Sequence, residues 1–298
     1  MGGSLTIVGA GRVGRALGRR LRELGWKIGA VVTRSEASAR KAVRFIGGGE
    51  PRGSVARQVL RCSVILIATP DAVVGEVAKD LARIGAEELR GKIVLHTSGA
   101  LDASVLDNVR AFGAATGSMH PLQSFSGVGV PPLEGKVFAI EGDATAVKMA
   151  RQLARSLGGA PVRIDGSQKL LYHAAATMAA AHVLVVEEAA TRLLMSIGMN
   201  RREAVRALLP LTRQVLQNFE RLGPRAAWTG PLSRGDFEVV EGHLVTLRRY
   251  DPRYAEAYAV LNALAASVLS PDALEEQENL RAIAESKKTK AKATGGRG

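Results

Sequence analysis

Cysteine and aromatic residues are scarce in this chain. The single cysteine, Cys62, excludes an internal disulfide and a cysteine-based zinc site, and we expect it to be a small core residue at the edge of a strand. Aromatic residues make up 4% of the chain and do not interleave with the basic residues, which argues against a base-stacking surface. No spacing of histidines and carboxylates is typical of a metal site, so we expect no metal.

The sequence also predicts no membrane-spanning segment. We find no run that is long enough to span a bilayer, and no basic segment followed by an apolar stretch at the start of the chain. We therefore expect a cytoplasmic protein with no membrane partner.

Acidic residues are outnumbered by basic ones, 28 against 41, which gives a net charge of +13. Such an excess can indicate a nucleic-acid partner. Part of it lies in residues 285–298, where a lysine-rich composition predicts a disordered tail, and the rest is mostly arginine scattered over predicted helices. We expect no specific nucleic-acid partner, because a basic surface equally suits a phosphorylated cofactor and an anionic substrate.

The first half of the chain alternates short apolar runs with amphipathic helical patterns. Because the apolar runs are continuous rather than alternating, they predict a parallel sheet that is covered on both faces. The predicted strands are residues 5–8, 28–32, 64–68, 93–96, 114–119, 137–140 and 162–164. The predicted helices are residues 12–24, 35–45, 72–84 and 144–157, with Ser35 as an N-cap.

The pattern becomes purely helical near residue 165. A long, alanine-rich, apolar helix is predicted over residues 167–197. Further helices follow at 201–222, 234–250, 252–269 and from about 271. The predicted fold class is α/β, a doubly wound and mostly parallel Rossmann sheet followed by an all-α domain.

We place the domains at 1–165 and 166–284, followed by the tail at 285–298. The long apolar helix needs partners on most faces, so we expect part of it to pack on a second subunit.

A glycine-rich turn follows the first predicted strand and opens the first helix. Its spacing is typical of dinucleotide-binding turns, in which glycines allow a tight turn, close approach of the pyrophosphate and close packing of helix on strand. The helix N-terminus would then carry the phosphates. The residues are Gly9, Ala10, Gly11, Arg12, Val13 and Gly14.

The end of the second predicted strand indicates which dinucleotide is bound. NAD-preferring proteins place a carboxylate there to hold the ribose hydroxyls, whereas this chain has Thr33, Arg34 and Ser35. An arginine can pair with the 2′-phosphate of NADP and no carboxylate repels it. We therefore predict NADP(H); the alternative is that Arg34 is only a solvated loop residue.

Polar residues at other strand ends are candidates for the rest of the site, since ligands of such sheets bind beyond the carboxyl ends of the strands. Thr69 and Pro70 would line the path of the ribose and nicotinamide. Ser98, His120 and Gln123 would position the substrate, with His120 also a proton carrier. His96 ends a strand too, but a hydrogen-bonded structural role explains it equally well.

The start of the long helix supplies two further candidates. Lys169 and His173 are separated by four positions and therefore share a helix face, so either could exchange the proton. The alternatives are a solvated lysine and a buried, hydrogen-bonded histidine. His182 falls on roughly the opposite side, and we expect it in the core or an interface.

These motifs together resemble a bacterial family with a Rossmann-like N-terminal domain and a helical C-terminal domain of unknown function. The resemblance covers nearly the whole chain except the tail. It rests on the glycine turn, on the segments 96–101, 120–125 and 172–176, and on residues 229–231 and 234–236.

More distantly, the layout is similar to β-hydroxyacid dehydrogenases, 6-phosphogluconate dehydrogenase and pyrroline-5-carboxylate reductase. That similarity implies an NAD(P) cofactor, a substrate cleft between the domains and dimerisation through a helical domain like that of 6-phosphogluconate dehydrogenase. Lys169 matches the lysine of the hydroxyacid dehydrogenases, but His173 stands where they have asparagine.

Three functions are compatible with the sequence. The leading hypothesis is an NADP(H)-dependent oxidoreductase that acts on a small, anionic substrate. A non-catalytic NADP(H)-binding protein, which senses redox state or serves as a scaffold, is the alternative from another class. A nucleic-acid binder that uses the basic surface is the third.

Overall fold

A central sheet of eight strands organises the computed structural model, which describes residues 3–270. In spatial order the strands run β3-β2-β1-β4-β5-β6-β7-β8, and every neighbouring pair is parallel except β6 and β7. The strands are β1 (Ser4–Val8), β2 (Lys27–Val32), β3 (Glu50–Arg52), β4 (Val64–Ile67), β5 (Ile93–His96), β6 (Ala115–Pro121), β7 (Val137–Gly142) and β8 (Ala160–Arg163).

The core lies on both faces of this sheet. Alternate residues of one strand enter opposite layers: Leu66 of β4 packs with one cluster, whereas Ile65 and Ile67 pack with the other. This double burial explains the continuous apolar strands and confirms the predicted α/β fold class. The helices that flank the sheet are α1 (Arg12–Glu23), α2 (Glu36–Ile46), α3 (Asp71–Gly85), α4 (Asp107–Arg110) and α5 (Ala144–Ser156).

Local signals at element ends are confirmed in two places. The Ser35 hydroxyl accepts a hydrogen bond of 3.3 Å from the backbone N–H of Ser38 and so caps α2. Cys62 is a free, buried thiol packed beside Gly29, as expected for a small core residue.

Two features of the sheet were not predicted. Strand β3 has only three residues and contains Pro51, which is tolerated because the strand lies at an edge. Strand β7 runs antiparallel to β6. The two strands approach closely at Gly117, where a Cβ would lie 2.6 Å from the carbonyl oxygen of Glu141.

The prediction of one continuous helix over residues 167–197 is wrong, because a π-helical segment interrupts it. This stretch consists of α6 (Lys169–Thr177), a π-helical segment Met178–His182 and α7 (Val183–Ser196). No glycine or proline marks the change, so the sequence offers no breaker that would reveal it. His182, expected in the core or an interface, is exposed within this chain.

Helices alone make up the rest of the described chain: α8 (Arg201–Leu222), α9 (Pro224–Ala227), α10 (Phe237–Tyr250) and α11 (Pro252–Leu269). The helix predicted from residue 234 begins later, because Gly235 adopts a left-handed conformation with φ of 73°. The helix expected from about residue 271 and the tail at 285–298 lie outside the described residues.

Backbone contacts divide the chain into two compact units, Met1–His182 and Val183–Gly298. The domain boundary near residue 165 stays a prediction; the last strand of the sheet ends at Arg163.

Among the described residues, one helical run, Gly166–Ser196, is long and apolar enough to cross a membrane, so the expectation that no such run exists is wrong. Length and apolarity are the only criteria that this run meets, so it is weak evidence for a membrane span.

The core strands should dominate the stability of the first unit. Val64 is fully buried on β4, whereas Val128 is 88% exposed in a loop. We expect Val64→Ala to lower the free energy of unfolding by about 2 to 3 kcal/mol, because it removes two buried methyl groups and leaves a cavity. Val128→Ala is the matched control and should stay within about 0.5 kcal/mol of wild type in urea denaturation. Equal effects of the two substitutions would contradict the described burial.

Candidate functional site

Two glycines of the turn after β1 are required by packing. Gly9 has φ of +92°, and a Cβ there would lie 2.6 Å from the backbone nitrogen of Thr69. A Cβ on Gly14 would lie 2.2 Å from the carbonyl oxygen of Gly9. Both positions therefore exclude any side chain, as the sequence predicted for a tight turn and for close packing of helix on strand.

Gly11 differs, because neither its conformation nor its neighbours require glycine. Its φ is −70°, and a Cβ built on it meets no atom within 4 Å. The open space faces the N-terminus of α1, which has no side-chain cap and no acidic residue in its first turn. Unpaired N–H groups and the helix dipole make such an end favourable for a phosphate, so this turn fits a dinucleotide.

The end of β2 lies directly beside this turn. The N–H of Gly9 donates a 2.9 Å hydrogen bond to the carbonyl of Val32, which brings Arg34 close to the glycines. Arg34 is exposed and makes no hydrogen bond or ion pair within the described chain, so its guanidinium is available to a phosphate. Thr33 and Ser35 instead bond locally: the Thr33 hydroxyl donates to the Ser35 carbonyl and the Ser35 hydroxyl caps α2.

A cavity of about 390 Å³ extends from Gly11 along the carboxyl ends of β4, β5 and β6. We call it the cofactor cleft. Of the predicted site residues, it brings together Gly11, Arg12, Val13, Thr69, Pro70, Ser98, His120, Gln123 and His173. Ala10 packs against the core instead, and Lys169 and the 33–35 segment are not part of the lining.

Thr69 is a residue of the cleft whose hydroxyl is free to bind a ligand. Its Oγ1 is buried and has no hydrogen-bond partner. A buried hydroxyl is costly to leave unpaired, so a polar ligand group in the cleft would satisfy it.

His120 sits at the far end of the cleft and pairs with Tyr172. Its Nδ1 lies 2.8 Å from the Tyr172 hydroxyl, and the two rings meet edge to face at 5.5 Å. Burial, and to a lesser extent the charge of Lys169, lowers the pKa of His120 to about 4. The imidazole is therefore neutral at physiological pH, and burial also keeps Tyr172 protonated by raising its pKa to about 12.

Gly99 allows His173 and His120 to approach each other. A Cβ on Gly99 would lie 2.4 Å from His173 Nδ1 and 2.9 Å from His120 Nε2. His173 Nδ1 is buried and has no hydrogen-bond partner. Sequence reasoning did not assign roles to Gly99 and Tyr172; the adjacency of Tyr172 to His173 was the available signal.

Lys169 is fully buried beneath the cleft. Its Nζ donates hydrogen bonds to the Ser98 carbonyl at 2.8 Å and to the Ser118 hydroxyl at 2.6 Å. Burial lowers the pKa of Lys169 to about 8, against the opposing effect of nearby carboxylates, chiefly that of Glu141. The shared helix face thus places His173 in the lining and Lys169 in the floor.

Ser98 and His96 use their polar atoms within the protein. The Ser98 hydroxyl accepts from the N–H groups of Ala100 and Leu101 at 3.1 and 3.0 Å. His96 Nδ1 accepts from the Ser98 N–H at 3.2 Å, which leaves Nε2 to donate to the Asp102 carbonyl at 3.2 Å. Burial lowers the pKa of His96 to about 3, so this histidine is neutral and satisfied, as its alternative interpretation held.

Gln123 shapes the loop at the cleft. Its side-chain amide donates to the Pro132 carbonyl at 2.9 Å, and its side-chain oxygen accepts from the Ser124 N–H at 2.8 Å. Chemically, the cleft thus combines a turn that fits an anion with two imidazoles, of which the neutral one of His120 is hydrogen-bonded to the phenol of Tyr172 behind it. Within residues 3–270, no group of three or more histidine, cysteine or carboxylate side chains could hold a metal.

Two family models match the chain. The Rossmann-like domain matches residues 3–121, and the domain of unknown function DUF2520 matches residues 136–265. No curated protein matches the sequence.

Solved structures share the fold at low sequence identity. A "putative NADP oxidoreductase" from Bacteroides fragilis superimposes with a TM-score of 0.72 and 22% identity, over 88% of this chain and 96% of its own. A protein from Thermotoga maritima gives a TM-score of 0.67 and 23% identity, over 95% and 99%. Pyrroline carboxylate reductase from Plasmodium falciparum, solved with NADP bound, gives 0.58 and 14%, over 87% and 97%.

At such identities the structural matches show the fold, and the two family models add its domain content. They confirm the resemblance drawn from the sequence motifs. The chain therefore contains a region that matches a Rossmann-like domain, followed by a region that matches the DUF2520 domain.

Proposed function

We propose that this protein is an NADP(H)-dependent oxidoreductase that transfers a hydride to or from a small, anionic substrate. The observation that carries the proposal is the cofactor cleft, which joins the open Gly11 turn to the imidazoles of His120 and His173 in one cavity. The names of two similar structures, an NADP oxidoreductase and a reductase with NADP bound, support the same reaction type.

The binding part of the proposal uses groups that the protein itself leaves unpaired. The N–H groups at the start of α1 would hold the pyrophosphate, and Arg34 would pair with the 2′-phosphate. Thr69 Oγ1 would bond to the ribose or the carboxamide. When bound, the nicotinamide supplies or accepts the hydride, so the protein needs to move only one proton.

His120 is our candidate for the residue that transfers this proton. A Tyr172 hydroxyl that donates to Nδ1 leaves the imidazole proton on Nε2, the atom that faces Gly99 and the cleft. When the developing anion of a carbonyl or imine substrate takes the Nε2 proton, the Tyr172 hydroxyl can pass its own proton to Nδ1, so that the imidazole stays neutral and the phenolate is then reprotonated from solvent. His173 would orient the same substrate group, while Ser98 and Lys169 hold the floor beneath it.

One observation favours the alternative of a non-catalytic NADP(H)-binding protein. Ser98, His96 and Lys169 all make their hydrogen bonds inside the protein and none towards the cleft. Nicotinamide fluorescence separates the two functions: NADPH that binds but is not oxidised by a broad panel of keto acids, imines and aldehydes favours the alternative.

Arg34 should select the phosphorylated cofactor. We expect Arg34→Ala to weaken NADPH binding about 10- to 100-fold, because a charge-assisted bond to phosphate is lost, and to change NADH binding little. Arg34→Asp should reverse the preference by repelling the 2′-phosphate. Arg44→Ala removes the same charge from an exposed position on α2 and is the control in a fluorescence titration. Unchanged NADPH affinity in both Arg34 variants would refute the role.

His120 should be needed for turnover and not for cofactor binding. With a substrate found in the panel, we expect His120→Gln to lower kcat about 100-fold or more, since general acid–base catalysis contributes at least that much, and to leave the Kd for NADPH near wild type. His243→Gln makes the same change at an exposed site in the second unit and should have wild-type kinetics. A His120→Gln enzyme with wild-type kcat would assign the proton transfer to another group.

We also propose a homodimer formed through the helical part of the chain. Helix α8 exposes an apolar stripe at helical spacing, and its members are 42 to 62% exposed: Leu211, Val215, Leu216, Phe219 and Leu222. Exposed apolar area of this kind is typical of an interface, and a second copy would bury it without a bilayer.

The dimer has a direct test. Light scattering coupled to size exclusion should give twice the monomer mass for wild type at micromolar concentration. Phe219→Lys should shift the protein toward monomer, because a charge would be buried without a partner, while the neighbouring Glu220→Lys should remain dimeric. A strict monomer in the wild type would reject the proposal.

A further inference from the structure

A second cavity, of about 600 Å³, lies in the first unit and shares no lining residue with the cofactor cleft. It is formed by the end of β7 and by the segments that follow β5 and β8. Its polar lining residues are Asp102, Ser104, Arg110, Glu141, Arg163 and Asp165.

Glu141 is the buried carboxylate of this cavity. It is 6% exposed, and its Oε1 has no hydrogen-bond partner. Burial raises the pKa of Glu141, while the Ser118 hydroxyl and the charge of Lys169 act in the opposite direction. This carboxylate therefore reaches from the cavity towards the buried lysine.

Ser118 connects the two. It lies directly opposite Glu141 in the antiparallel β6–β7 ladder, which places both side chains on the same face of the sheet. The Ser118 hydroxyl is fully buried and accepts a hydrogen bond from Lys169 Nζ at 2.6 Å. Its own proton then remains to be donated to the carboxylate opposite.

Lys169 has no comparable exit elsewhere among the described residues. Its other hydrogen bond goes to the Ser98 carbonyl, which carries no exchangeable proton. Both nitrogens of the neighbouring His96 are occupied. Besides Glu141, the ionisable groups that act electrostatically with Lys169 are Asp71, Asp102, His96 and His120.

We propose that Ser118 and Glu141 form a proton path that lets the buried Lys169 exchange its proton through the second cavity rather than through the cofactor cleft. Lys169 Nζ gives a proton to Ser118 Oγ while Ser118 gives its own to the Glu141 carboxylate. Glu141 then releases that proton to water in the cavity, and the reverse sequence recharges Lys169. The result is a neutral amine, an unchanged serine, an unchanged carboxylate and one proton in solution.

The path would let the charge state of Lys169 control the basicity of His120 during the reaction, a role that rests on the proposed function. The charge on Lys169 lowers the pKa of His120, so a discharged Lys169 makes His120 a stronger base. Ser118 and Glu141 would thus be positioning residues that act on the cleft through Lys169, without touching the substrate.

The test follows the Lys169 side chain by NMR in the full-length protein carrying lysine labelled with ¹³Cε and ¹⁵Nζ, without cofactor. Lys169→Arg assigns the signal. We expect Glu141→Gln and Ser118→Ala to slow hydrogen exchange at Nζ about tenfold or more, and Ser118→Thr to restore it. Glu141→Gln should also lower the pKa of Lys169, because the carboxylate that raises it is gone.

By any other route, a lower pKa of Lys169 and slower hydrogen exchange at Nζ would not occur together. A lower pKa alone speeds the loss of the ammonium proton, so slower exchange with a lower pKa identifies the path. Glu88→Gln, an exposed glutamate away from both cavities, is the matched control and should change neither quantity. Exchange that is unchanged or faster in Ser118→Ala and Glu141→Gln overturns the proposal.

A variant at the rim covers the case in which the buried substitutions unfold the protein. Arg163 is exposed at the second cavity, and Arg163→Trp should slow exchange at Lys169 by narrowing that opening. The proposal is also contradicted if Lys169 exchanges at the wild-type rate in this variant while the NMR spectrum shows that the tryptophan ring contacts residues of the second cavity. None of these measurements requires NADPH, so failure of the path and failure of NADPH binding are read separately.

Discussion

The burial of the Lys169 ammonium is the constraint on which the arrangement of the site depends. Removing an ammonium group from water costs several kcal/mol unless hydrogen bonds and nearby charges compensate. Here the compensation comes from Ser98 after β5, Ser118 on β6 and the carboxylate of Glu141 on β7. One side chain therefore ties the start of α6 to three neighbouring strands.

This attachment decides what the next turn of α6 can do. With Lys169 held in the floor, His173 one turn later reaches the cofactor cleft, and Tyr172 reaches His120. Gly99 completes the arrangement, since any side chain there would occupy the space of both imidazoles. Burial keeps both His96 and His120 in the neutral form.

The three glycines of the turn show how one motif contains different kinds of information. Gly9 and Gly14 are explained by the protein's own packing, whereas no contact within residues 3–270 explains Gly11. A position that is open both sterically and conformationally is the place where a ligand can approach the backbone. This distinction supports cofactor binding more directly than the spacing of the glycines does.

The sequence by itself determined most of the elements and the fold class, because double-sided burial requires continuous apolar strands and each helix must bury one face. It also determined the glycine turn, the N-cap at Ser35 and the candidates at the strand ends, since these depend on local conformation and on the direction of parallel strands.

Only the tertiary structure decided which candidates meet. That Lys169 is buried, and that Tyr172, Gly99, Ser118 and Glu141 matter, follows from contacts between residues that are distant in sequence. The antiparallel β6–β7 pair belongs to the same class, because it brings Gly117 close to the backbone of Glu141, and the π-helical segment likewise has no glycine or proline that would mark it in the sequence.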